Sequence, residues 1–90
     1  MADIISADEL ERRGHYLIVD VRQPYEVMAD PVENALNIPL PELLARLDEL
    51  PQDKLLAFVC AGNVRSAQAA DYLSGALGWS NVCVLDKFSL

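Results

Sequence analysis

Short apolar runs alternate with helical stretches along this 90-residue chain, and that alternation limits the fold more than any other feature. Tyr16-Leu17-Ile18-Val19 ending at Asp20, Ala35-Leu36-Asn37-Ile38, Leu55-Leu56-Ala57-Phe58-Val59 and Val82-Cys83-Val84-Leu85 read as buried strands. Helical signals separate them. Ser6 caps a helix over Ala7 to Arg13, with Glu9 at the capping-box position and Gly14 as its stop. Pro24 opens a helical turn through Glu26 to Met28. Pro41 starts a helix that places Leu43, Leu44, Leu47 and Leu50 on one face and ends at Pro51. A further helix runs from about Arg65 to Leu77, with Ala67, Ala69, Ala70 and Ala76 allowing close approach to a sheet. Strands joined through helices pair in parallel, and ligands then sit beyond their carboxyl ends. Asp20 and Cys60 both fall at such ends.

The length fits one domain, residues 1–90, of marginal stability. The formal charge of −7 excludes nucleic acid as a natural partner and disfavours anionic membranes. No apolar run approaches the roughly 18 residues of a membrane helix. The start, Met1-Ala2-Asp3-Ile4-Ile5, does not read as a signal peptide. Cys60 and Cys83 make neither a disulfide framework nor a zinc site, and a cytoplasmic protein with reduced thiols is expected.

Alone, a cysteine at a strand end reads as a small buried thiol. Here Cys60-Ala61-Gly62-Asn63-Val64-Arg65-Ser66 runs from a strand into a helix start, where free N–H groups and a partial positive charge converge. Gly62 is expected to let the backbone turn, and Asn63 tolerates left-handed conformations. Arg65 adds a full charge. Such surroundings lower a thiol from about 8.5 into the range of roughly 3.5–7.5. Cys60 is therefore expected to be a nucleophilic thiolate that needs no histidine base.

Three segments in order make the chain resemble the single-domain rhodanese-like sulfurtransferases. They are Asp20-Val21-Arg22 followed by Glu26, Ala35-Leu36-Asn37-Ile38-Pro39-Leu40, and the loop Cys60 to Ser66. The resemblance implies an α/β fold: a three-layer sandwich with about five mainly parallel strands and helices on both faces. It also implies a sulfurtransferase. Cys60 would take a sulfane sulfur from a small anionic donor such as thiosulfate, or from a persulfide, and become a persulfide. It would pass that sulfur to cyanide in an assay, or to a thiol or protein acceptor. Arg65 would bind the donor, with Ala61, Gly62, Asn63, Val64 and Ser66 completing the substrate cradle. Arg22 and Glu26 would form an ion pair at the rim, and Asp20 would anchor the loop. No metal ion and no cofactor is called for.

The chain departs from the family pattern at several points. Asn63 stands where the loop glycine is usual, with Gly62 before it. Asp30-Pro31-Val32 replaces a Gly-His segment, and Asn34 stands where glycine is common. Asp86-Lys87-Phe88 replaces a Gly-Gly after the last strand, and the closing helix is expected to be short or absent.

Other residues read as scaffold: His15 as a surface histidine, Cys83 as a core thiol, Trp79 and Tyr72 as packing or half-packing, and Tyr25 as a rim residue. Asp8, Glu9 and Glu11 read as a solvated helix face. The competing functions are a sulfur-relay carrier, a partner-binding module of the same family, and a cysteine-dependent phosphatase or arsenate reductase. Phosphatase loops of this kind put one residue more between cysteine and arginine than Ala61 to Val64 supply.

Overall fold

The computed structural model describes residues 2–90, so Met1 lies outside the described residues. Five strands form one sheet: β1 (Ile4–Ile5), β2 (Tyr16–Asp20), β3 (Leu36–Asn37), β4 (Leu55–Val59) and β5 (Val82–Leu85). Their order is β1-β5-β4-β2-β3, and every pairing is parallel. β4, the most apolar run, is central, and Asp20 of β2 stands beside its last residue, Val59. Three α-helices, α1 (Ala7–Arg13), α2 (Pro24–Ala29) and α3 (Val64–Ala76), connect the strands. Ser6 caps α1 by accepting from the Glu9 N–H, and its final turn closes at Gly14, as the sequence predicts.

Period-two alternation divides the core between the two faces of the sheet. Leu56, Phe58 and Cys60 point to one side, with Ala69, Ala70 and Leu73 of α3 and with Leu43 and Leu50. Ala57 and Val59 point to the other, with Leu10 of α1, Ile5, Cys83 and Leu85. The small residues of α3 let it lie close against β4 and β5. Cys60 is thus fixed by its own strand on the α3 face, one residue past β4.

The stretch Leu40–Glu49 differs from the expected regular helix. It is 3-10 helical, with a break at Arg46 (φ −125°, ψ 23°). The break changes the phase between the turns on either side of it, so the four leucines no longer share one stripe. Leu43 and Leu50 are buried and Leu47 partly so, but Leu44, expected on the same face, is 57% exposed. Arg46, at the break, is held by Glu42 and Glu49.

A second 3-10 turn, Lys87–Ser89, follows β5. Trp79 packs against the core, whereas Tyr72 is 45% exposed. His15 is exposed at the start of β2. Among the described residues no helix is long and apolar enough to cross a membrane.

Candidate active site

β4 ends at Val59, α3 begins at Val64, and the chain between them wraps around the Cys60 sulfur. The left-handed residue of this loop is Asn63 (φ 68°), the N-cap of α3. Gly62 has no positive φ, and a Cβ added to it would meet nothing within 4 Å. The turn assigned to Gly62 from the sequence therefore belongs to Asn63. Asn63 does more than glycine could in that place. Its amide donates to Asp86 Oδ1 at 3.0 Å, and its carbonyl oxygen accepts from the Lys87 N–H at 3.1 Å. The loop is tied to the segment that follows β5.

Cys60 is 1% exposed. The Ser66 N–H donates to Sγ at 3.3 Å, and the Ser66 hydroxyl lies at the same distance. Burial pushes the thiol up. Hydrogen bonds from the Ser66 hydroxyl and from the Ser66, Gly62 and Arg65 N–H groups outweigh it and hold Cys60 below the ordinary thiol range. Cys83 has burial without donors and is pushed up to about 11. The two buried thiols are thus shifted in opposite directions because only one stands at a helix start.

The thiolate fraction rises as pH rises through the pKa, so a lowered value leaves more thiolate at neutral pH. The ultraviolet absorbance of the thiolate, taken as wild type minus Cys60→Ser, is expected to titrate below that of free cysteine, and Ser66→Ala, which removes the donating hydroxyl, to raise that midpoint. A wild-type midpoint at or above that of free cysteine would contradict this.

The charges around the loop pair differently from the expected scheme. Arg22 does not meet Glu26. It is buried (3% exposed) against the fully enclosed Asp20, with Nη2 to Oδ2 at 2.7 Å and Nε to Oδ1 at 3.0 Å. It also donates to the Asp30 carbonyl at 2.7 Å. Glu26 instead takes Arg65 through both oxygens, at 2.7 and 2.9 Å. That contact, then its bond with the Gln23 backbone, lowers Glu26 to about 2. Arg22 precedes Pro24, where α2 starts, so Arg22 and Glu26 lack the helical spacing that their sequence separation suggests.

Asp20 also accepts from the Arg22 N–H at 3.0 Å, and Asn37 Nδ2 donates to the carbonyls of Asp20 and Arg22 at 2.8 and 2.9 Å. Three of the sequence-derived segments therefore meet at one end of the sheet. The sequence reading missed Asp30, Asp86 and Lys87. Asp86 follows the last residue of β5, a carboxyl end like those of Asp20 and Cys60, and that was its available signal. A cavity of about 210 Å³ lined by Ala2, Asp3, Ser74, Trp79, Ser80 and Val82 opens at the amino ends of β1 and β5, away from Cys60. Among the described residues no group of three or more His, Cys, Asp or Glu side chains could hold a metal ion.

A family model described as a rhodanese-like domain matches residues 6–88. A sulfurtransferase from Allochromatium vinosum is 31% identical over 77 residues, which cover 81% of this chain and 72% of that protein. Two further curated relatives are longer, and the chain spans 44% and 28% of them. Among solved structures, a rhodanese-related protein from Thermoplasma volcanium is 36% identical, with a TM-score of 0.81, 93% of this chain and 83% of that one being covered. The human single-domain sulfurtransferase TSTD1 is 28% identical, with a TM-score of 0.73 and 96% and 90% covered.

Proposed function

The chain belongs to the rhodanese-like family of sulfurtransferases, and from that premise we propose that Cys60 carries the transferred sulfur as a persulfide. The observation that carries this reading is the thiol ringed by N–H donors at the β4–α3 junction, with its pKa held down although it is buried. A resting thiolate there is nucleophilic at neutral pH. It attacks the outer sulfur of a sulfane donor, thiosulfate or an organic persulfide. The donor S–S bond breaks, and its electron pair leaves with sulfite or with the thiolate of the donor. The N–H groups that hold the thiolate also stabilise the persulfide anion. In the second half an acceptor takes the outer sulfur and Cys60 returns to the thiolate; with cyanide the product is thiocyanate, and in the cell the acceptor is a thiol, free or on a protein.

In this reading residues 1–90 act as one catalytic domain. Ser66 and the loop residues Ala61 to Val64 form the cradle, Asp20 and Arg22 brace it, and neither a cofactor nor a metal takes part. A phosphatase is disfavoured by the shorter loop between Cys60 and Arg65 and by the capture of the Arg65 guanidinium by Glu26.

Because donor and acceptor meet different forms of the protein, initial rates with thiosulfate and cyanide should give parallel double-reciprocal lines. Intersecting lines, which require both substrates bound at once, would rule out the Cys60 carrier.

A further inference from the structure

At the Cys60 end of the sheet, among the described residues, every arginine and lysine is already bound to a carboxylate. Arg22 is enclosed by Asp20 and touches Asp30. Lys87 Nζ meets Asp30 Oδ2 at 3.2 Å. Arg65 is gripped by both oxygens of Glu26. Elsewhere Arg12 and Arg13 pair with Glu9, and Arg46 with Glu42 and Glu49. Among the described residues only Lys54 lacks a carboxylate partner, and it precedes β4, about 20 Å of strand away from Cys60. The cations Arg22, Arg65 and Lys87 are outnumbered at this end by Asp20, Glu26, Asp30 and Asp86.

A dianion approaching the Cys60 thiolate therefore meets no free positive charge. To reach Arg65 it has to displace a bidentate carboxylate. Protonation does not release Arg65 at neutral pH: a carboxyl lowered to about 2 keeps its ion pair above the ordinary carboxylate range and loses it only as pH falls towards that value. Apolar side chains that neighbour the pair along the chain are exposed as well. Tyr25 and Met28, on α2 beside Glu26, are 72% and 84% exposed, and Val64, beside Arg65, is 67% exposed. An inorganic dianion gains nothing from such surface, whereas the carbon part of an organic donor is drawn from water onto it.

We propose that the Cys60 site selects an organic hydropersulfide, neutral or singly charged, over the thiosulfate dianion, and that Glu26 sets this choice by occupying Arg65. The proposal rests on Cys60 as the sulfur carrier. The thiolate attacks the outer sulfur of R–S–SH, the donor S–S bond breaks, and Cys60–S–SH and RS⁻ result. No oxidant or reductant is consumed.

The test is quenched intact-mass measurement of Cys60 loading from benzyl hydropersulfide and from thiosulfate, in wild type and Glu26→Gln. Each rate is divided by that of N-acetylcysteine with the same donor, which removes intrinsic reactivity. Glu26 accepts from the Gln23 N–H, and the amide oxygen introduced by Glu26→Gln can do the same, so the helix start is kept. Wild type should enhance hydropersulfide loading more than thiosulfate loading. Glu26→Gln should speed thiosulfate loading about tenfold and change hydropersulfide loading by less than about twofold. Added salt should speed wild-type thiosulfate loading by screening the carboxylates. If Glu26→Gln leaves thiosulfate loading unchanged, or slows both donors alike, the selection is overturned while the carrier stands. If neither donor loads Cys60, both fall.

Discussion

Asp20→Ala should lower the stability of the fold by about 3–5 kcal/mol, because it strands the buried Arg22 guanidinium without its carboxylate. The Arg22 N–H loses its acceptor in the same step. Asp30 cannot replace it: its carboxylate stands 3.9 Å from Arg22 and is itself 68% exposed. Domains of this size have only about 5–15 kcal/mol to lose, so a large share of the variant should unfold in mild urea. The double variant Asp20→Ala with Arg22→Met should recover much of the loss, since it removes the stranded charge rather than its partner. A loss below about 1 kcal/mol for Asp20→Ala would show that the enclosed pair does not hold this end of the sheet together. Asp20 stands beside Val59, the residue before Cys60, so the same change should also disorder the reactive loop.

Much of this arrangement was legible in the residue order. The apolar runs ending at Asp20, Val59 and Leu85 appear as β2, β4 and β5, and helices between them make the sheet parallel. Carboxyl strand ends then bring Asp20 and Cys60 together across forty positions. β1 is only Ile4–Ile5, and two residues are too few to leave a periodic trace. The 3-10 character of Leu40–Glu49 and its break at Arg46 were hidden because the leucine spacing alone is compatible with one regular helix, and nothing in it marks Leu44 as facing water.

Charge pairing was the least legible feature. Arg22 and Glu26 look like helical neighbours in the sequence, yet α2 begins between them, and Arg65 arrives from α3 to take Glu26. Such partnerships depend on side-chain directions set by tertiary packing. Asn63 illustrates a subtler loss. Its tolerance of left-handed backbone could be read, but its bonds to Asp86 and Lys87 join residues separated by the whole of α3 and β5.

Replacing the two cysteines should have opposite consequences. Cys60→Ser removes the only thiol ringed by N–H donors and should abolish sulfur loading altogether, because a serine oxygen forms no persulfide. Cys83→Ser should load as wild type does, since Cys83 is pushed up to about 11 and lies among Ile5, Leu10 and Leu85 on the far face of the sheet. The direct measurement is intact mass spectrometry with peptide mapping after incubation with a sulfane donor. Wild type should gain one sulfur atom on the peptide that contains Cys60, reductant should remove it, and Cys60→Ser should gain none. A wild-type protein that gains nothing from thiosulfate, polysulfide or a hydropersulfide, or that carries its added sulfur on Cys83, would contradict the account.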